Sequence, residues 1–368
     1  MPETPIRLLV ISNGLGEDSI GAEIVRRLPP NIVADAYPTL GSGRAYDGVC
    51  DIVGPRAHLA SAGSRVARGT FARDLRGGLL TTIGPGIAFA RRTRGQYDRI
   101  LVIGDFVGVL GAWLTGLRNL VYVDVYKSGY GSPYLGIERA IIARACRTVF
   151  SRHPDLAAAL QSSGVDARAA GNVMMDTIPR AGIDPTPWRT RARAVTLLPG
   201  SRGETAANFA LQAEALRRLP PNLMPDVFLA LAPGTDRAAL AAAAALTADG
   251  DRLVGDLDIH VAEGALGDLV EASDVVLTQA GTATIQALGL GRPVVSFTRA
   301  TDRAKRHRDE QAFFGDSRIL VRDAAGALSD ALAALLADDP DRARRGAIGR
   351  ERIGPPGAID AIIAELAK

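Results

Sequence analysis

A chain of 368 residues exceeds what one hydrophobic core usually organises, so two domains of roughly 100 to 200 residues each are expected. Hydrophobic residues at 47% and charged residues at 23% exclude a disordered chain, and no apolar run reaches the roughly 18 residues of a transmembrane helix. A net charge of +3 gives no reason to expect a nucleic-acid partner, while Cys50 and Cys146 lack metal-like spacing and suit a reducing compartment better than a disulfide framework.

Met1 to Val10 passes into an apolar strand without a basic segment or a long hydrophobic run, so no signal peptide and a cytoplasmic location are expected. Ile6 to Ser12 reads as a buried strand, then Asn13-Gly14-Leu15-Gly16-Glu17-Asp18 as a glycine turn, then a helix through Ile20, Ile24 and Leu28. The glycines at 14, 16 and 21 do not have the spacing of a dinucleotide fingerprint, and no acid follows a second strand at the expected interval. Glu17 and Asp18 fall at the helix start, where carboxylates also favour the dipole.

The 65–94 segment interleaves Arg65, Arg68, Arg73, Arg76, Arg91, Arg92 and Arg94 with Phe71, Leu75, Ile83 and Phe89, a mixture that suits an anionic membrane surface or the solvated face of packed amphipathic helices. Gly77-Gly78 and Gly84-Pro85-Gly86 are expected to break it. Arg99 to Asp105 is a strand ending in an acid. Such an acid points into the crevice where parallel sheets bind ligands, and it can equally cap a helix beginning at Phe106. Leu120 to Val125 is the next strand, with Tyr126-Lys127-Ser128-Gly129-Tyr130 a polar, aromatic loop at its end.

Three prolines between Ile178 and Ala194 mark a linker, after which strands and helices resume at Val195. The 274–297 stretch reads as strand, Gly281 turn, helix and strand. Gly281 permits close backbone approach, and Thr282 and Thr284 place hydroxyls and N–H groups at a helix start that attracts phosphate. Two βαβ series on either side of a linker predict an α/β chain of two doubly wound, Rossmann-like domains facing across a cleft, at 1–180 and 195–353, with a linker at 181–194 and a last helix within 354–368.

Five stretches in register resemble lipid-A-disaccharide synthase and the wider GT-B glycosyltransferases: ISNGLGEDSIGAEIVRRL (11–28), GDFVG (104–108), GNVMMD (171–176), LLPGSRGE (197–204) and QAGTATIQA (279–287). The resemblance implies the GT-B fold and a hexosyl transfer from a nucleotide sugar, of the UDP type, to a lipid or lipid-linked acceptor, inverting and without a cofactor. It places Asp105 as general base, with Glu17 and Asp18 as alternatives. Gly200, Ser201, Arg202, Gly281, Thr282, Ala283, Thr284, Gln286 and Gln311 fall on the donor side, and Gly14, Gly16, Asp124, Tyr126 and Lys127 on the acceptor side.

Three features depart from that pattern. Gln286 stands where donor helices carry a ribose-binding glutamate, and VYVDVYKSGYG (121–131) differs from the lipid-A enzyme's acceptor segment. Arg303 to Asp316 resembles the glutamine-bearing stretch of transferases acting on lipid-linked sugars; its cluster Arg303, Lys305, Arg306, His307 and Arg308 is either a solvated loop or an anion-binding patch. No Asp-x-Asp pair lies in a turn suited to a metal, and the four histidines are scattered, so no metal is expected. The alternatives are a nucleotide-sugar 2-epimerase and a catalytically silent nucleotide-sugar-binding protein.

Overall fold

The computed structural model describes residues 5–56, 79–131, 133–201, 204–299, 302 and 304–368. The chain forms two compact units. The first holds residues up to Thr177 together with 303–309 and 354–368, and the second holds Ile178–Asp302 and Glu310–Ile353.

In unit 1, β1 (Ile6–Ser12), β2 (Ile32–Pro38), β3 (Asp51–Ile52), β4 (Arg99–Gly104), β5 (Leu120–Asp124), β6 (Cys146–Ser151) and β7 (Asp166–Arg168) pair in parallel, in the order β3-β2-β1-β4-β5-β6-β7. The central strands are apolar on both faces because helices cover both: Leu8 to Ile11 and Leu120 to Val123 are all buried. The covering helices are α1 (Leu15–Arg26), α2 (Leu79–Arg92), α3 (Phe106–Leu114), α4 (Gly136–Ala145), α5 (Pro154–Gln161) and the short α6 (Val173–Asp176). Chain order reverses between β1 and β4, and ligands of such sheets bind beyond the strand C-termini at that switch point.

Gly84-Pro85-Gly86 does not interrupt the chain as expected, since α2 runs through Pro85. Proline removes one N–H from a helix, and α2 is anchored beyond that point: Phe89 and Ala90 are buried and the Phe89 ring lies 4.7 Å from Tyr37. The basic residues Arg65, Arg68, Arg73 and Arg76 fall outside the described residues.

In unit 2, β8 (Ala194–Leu198), β9 (Asp226–Leu231), β10 (Thr247–Asp249), β11 (Arg252–Val254), β12 (Asp258–Glu263), β13 (Val275–Thr278), β14 (Val294–Thr298) and β15 (Arg318–Arg322) form a sheet ordered β10-β11-β12-β9-β8-β13-β14-β15. Only the β10-β11 and β11-β12 pairs are antiparallel. Its helices are α7 (Thr205–Arg217), α8 (Arg237–Ala243), α9 (Leu266–Glu271), α10 (Thr282–Gly289), α11 (Ala304–Phe314), α12 (Ala325–Ala337) and α13 (Asp339–Ile353), with α11 divided between the units at Asp309 and Glu310. Here the order reverses between β8 and β13.

The proline-bearing stretch packs with unit 2. Arg180 makes a two-point ion pair with Glu271 at 2.6 and 2.7 Å, the Ala181 N–H donates to Asp268 at 2.8 Å, and Arg189 pairs with Asp274 at 3.0 Å. The last helix, α14 (Ala358–Leu366), belongs to unit 1. Asp176 accepts from the N–H groups of Gly357 (2.6 Å) and Ile359 (3.1 Å), and buried Glu365 pairs with Arg147 (2.8 Å) and Arg168 (3.0 Å). A side chain at Gly171 would come within 2.8 Å of the Pro356 carbonyl, so the GNVMMD segment is the seat of this helix.

Candidate functional site

Acids gather at the carboxyl ends of β1, β4 and β5, around the switch point of the first sheet. Ser12, the last residue of β1, donates to Asp18 Oδ1 at 2.6 Å and lies 3.0 Å from the Tyr46 hydroxyl. Asn13 donates to Asp105 Oδ1 at 3.0 Å. The same oxygen accepts from the Val107 N–H at 3.0 Å, so Asp105 caps α3. Gly104 is required here: its φ is +144°, and a Cβ would stand 2.1 Å from Asn13 Oδ1. Asp105 is half-buried, whereas Asp18 is 1% exposed and Glu17 8%. Gly14 leaves room for Glu17 to fold back, because a Cβ there would meet the Glu17 carboxylate at 2.4 Å.

Burial raises the Asp18 carboxyl to about 7; the Ser12 hydrogen bond opposes the shift and the charge of Glu17 adds to it. Asn13 Oδ1 and Asp18 Oδ2 are buried and find no hydrogen-bond partner among the described residues. Ser12 and Asn13 lie within the 11–28 stretch, which marks neither as a site residue, and Tyr46 lies in no motif. The strand end preceding the glycine turn was the signal for the first two, while Tyr46 is distant in sequence and only the fold brings it in.

The expected acceptor-side residues divide in role. Asp124 is buried and accepts from the N–H groups of Tyr126 (2.9 Å) and Lys127 (3.1 Å) and from the Tyr134 hydroxyl. Burial raises its carboxyl and those three hydrogen bonds hold it down in part. Asp124 therefore shapes the loop. Lys127 is ion-paired with Glu138 at 2.8 Å, and Tyr126 stands 49% exposed. Gly14 is buried and Gly16 half-buried in the turn before and into α1.

In unit 2 the two expected donor loops are neighbours. The Gln279 N–H donates to the Leu198 carbonyl at 2.8 Å, and a Cβ on Gly200, whose φ is +96°, would lie 3.4 Å from the Gln279 carbonyl. Gly281 is exposed and provides no side-chain cap for α10, whose first N–H groups are those of Thr282 and Ala283. Thr284 is committed to the turn: its hydroxyl donates to the Ala280 carbonyl at 2.6 Å and lies 2.8 Å from the Thr278 hydroxyl. Gln286 is 3% exposed within the unit. Gln311 bonds the carbonyls of Gly315 (2.8 Å) and Arg318 (3.3 Å) and accepts from Arg318 (3.1 Å). Ser201 is exposed beside a shallow cavity of about 340 Å³, lined also by Thr205, Ala232, Gly234, Thr235 and Asp236.

Arg202 and Arg303 lie outside the described residues. Lys305 pairs with Asp309 at 2.6 Å. Among the described residues no group of three His, Cys, Asp or Glu side chains is placed to hold a metal, and no helix is long and apolar enough to cross a membrane.

Two Rossmann-like sheets with glycine loops at both switch points define a GT-B fold. Solved structures agree. The putative UDP-N-acetylglucosamine 2-epimerase of Listeria monocytogenes aligns at TM-score 0.61 and 15% identity over 98% of this chain and 96% of that one. MurG of Acinetobacter baumannii aligns at 0.57 and 14% over 99% of both, and the glycosyltransferase SnogD of Streptomyces nogalater at 0.57 and 18% over 98% and 100%. No protein-family model matches the chain.

In sequence, the chain is 29% identical over 306 residues to the lipid-A-disaccharide synthase of Aromatoleum aromaticum, covering 78% of this chain and 73% of that protein. The synthases of Pseudomonas putida (32% over 168 residues) and Azotobacter vinelandii (30% over 197 residues) match 42% and 49% of this chain, and the chain spans 40% and 49% of their length. Within the GT-B class, the protein is thus a divergent relative of the lipid-A-disaccharide synthases.

Proposed function

We propose that the protein transfers a hexose from a nucleotide sugar, of the UDP type, to a lipid or lipid-linked acceptor, with inversion and without a metal. The observation that carries this reading is the meeting of Leu198 and Gly200 with Gln279 at the switch point of the second sheet, beside a helix start without a side-chain cap that suits a diphosphate. The sequence likeness runs to sugar transferases with a lipid in their name. Likeness to 2-epimerases is one of fold alone, at 15% identity, and does not favour epimerisation.

In this reaction the acceptor hydroxyl oxygen attacks the donor's anomeric carbon, the bond from that carbon to the diphosphate oxygen breaks, and the nucleoside diphosphate leaves with both electrons. Asp105 takes the hydroxyl proton. It is the acid at the first switch point that is half-buried rather than enclosed, so it can meet a ligand where Asp18 cannot. Helix-start N–H groups of Thr282 and Ala283, with Gly281, Gly200, Ser201 and Arg202, hold the leaving diphosphate. In this reading the tight burial of Gln286 and the internal bonds of Thr284 and Gln311 make them structural supports, Thr284 of the 278–280 turn and Gln311 of the turn after α11. In the same reading Tyr126 meets the acceptor, and the basic and apolar composition of the 65–94 sequence suits the inner membrane surface.

Mass spectrometry of donor turnover tests the proposal. Release of nucleoside diphosphate that depends on an added lipid acceptor is the expected result. An isomerised donor would replace transfer by epimerisation, and binding without turnover would leave a nucleotide-sugar-binding protein.

A further inference from the structure

Arg299, which no motif marks, follows the end of β14 with its side chain 19% exposed. Its guanidinium lies over the Phe297 ring at 5.5 Å and donates to Asn208 Oδ1 at 2.7 Å. Asn208 is buried on α7 and fixed in turn by donating to the Pro199 carbonyl at 2.8 Å. Because β8, β13 and β14 are consecutive in the sheet, this arginine reaches from the end of β14 past the end of β13 to the first turn of α7, across the mouth where α10 starts. The loops it crosses are tied together, Gln279 donating to the Phe297 carbonyl at 2.9 Å.

Its remaining partner is Glu204, whose side chain is 65% exposed. Among the described residues the two ends of this ion pair are unequal: the arginine is also held by an aromatic ring and a buried amide, the carboxylate by solvent-screened attraction to the arginine alone. Exposed carboxylates make weak pairs, whereas a diphosphate offers several oxygens and more charge to the fork of an arginine.

We propose that Arg299 is a ligand for the diphosphate of the donor, and that Glu204 is a place-holder on its guanidinium which the anion displaces. This rests on the donor-site reading above. Anion binding then competes with an internal carboxylate, which keeps the arginine oriented and rejects weaker anions.

Titration calorimetry with uridine diphosphate and, separately, inorganic pyrophosphate tests it on the wild type, Glu204→Gln and Arg299→Gln, with melting curves to show that each variant folds. Glu204→Gln should bind both probes about three- to fivefold more tightly, most clearly at low salt. Arg299→Gln should bind them about tenfold or more weakly, and the double variant should match Arg299→Gln, because the place-holder matters only when the arginine is present. Unchanged or weaker binding by Glu204→Gln overturns the place-holder, and wild-type affinity in Arg299→Gln overturns the ligand role; either leaves the donor reading standing. Pyrophosphate binding in the expected order without uridine diphosphate binding upholds the inference and sinks the UDP reading. Binding of neither probe by the wild type and Glu204→Gln overturns both.

Discussion

Replacing Asp18 by asparagine should stabilise the protein by an amount that grows with pH. The folded carboxyl titrates near 7 against an ordinary value of 3.8. Between those values the folded chain keeps a proton that the unfolded chain has lost, so the free energy of unfolding falls as pH rises. At about 1.4 kcal/mol per pKa unit, the penalty is about 1.5 kcal/mol at pH 5 and levels off near 4 kcal/mol above pH 7. Asparagine keeps the acceptor for Ser12 and removes the titration. The variant should therefore gain about 2.5 kcal/mol on the wild type between pH 5 and pH 8, roughly 5 to 10 °C in the melting transition of unit 1. Scanning calorimetry of both proteins across that range measures it. Parallel curves would mean that Asp18 is ionised throughout, with a partner on its second oxygen.

Asp105→Asn should abolish transfer while leaving stability within about 0.5 kcal/mol, because asparagine caps a helix as well as aspartate does; retained turnover in the mass-spectrometric assay removes Asp105 from the base role. Arg202→Ala should weaken nucleotide-sugar binding about tenfold, and unchanged calorimetric affinity would sink that assignment. Glu365 is buried, and although burial alone would raise its carboxyl, hydrogen bonds from Lys368 and Arg168 and the charge of Arg147 hold it down at about 2. That depressed value contributes about 3 kcal/mol above pH 4.5, lost as pH falls toward 2. Glu365→Gln should lower the melting temperature at pH 7, with a gap to wild type that narrows below pH 4.5. Gln286→Glu places a carboxylate at a 3% exposed position, so it should lower stability by several kcal/mol without tightening donor binding; a tighter donor complex at unchanged stability would return this residue to the ribose.

The alternation of buried strands and glycine turns was legible in the sequence because short apolar runs such as Val275 to Leu277 and Leu120 to Val123, bounded by turn residues and rich in β-branched side chains, suit a covered parallel sheet. Strand β2 escaped it: IVADAYP has only alternating burial and carries Asp35, which Arg7 and Tyr97 satisfy from elsewhere in the chain. The antiparallel β10 and β11 escaped it too, being three residues each and too short to show an alternation. Helix α13 was hidden because its many arginines face their own acids, as Arg345 and Arg344 do Asp341.

For the site, spacing located the strand ends but not the fate of each polar side chain there. Asp105 and Asp124 follow or end strands and spend an oxygen on backbone N–H groups of the next turn, while Thr284, inside α10, donates back to the Ala280 carbonyl. What separates a reacting group from a supporting one at such positions is how many of its oxygens the fold has already used and how much of it meets solvent. By that measure Asp124, enclosed and accepting three hydrogen bonds, shapes a loop. Asp18, enclosed with one oxygen unmatched, stores a proton. Asp105 is half-buried at the switch point, which is why the proposed transfer assigns it the acceptor hydroxyl. Its neighbour Asn13 then has a clear part: by donating to Oδ1 it fixes the orientation of that carboxylate.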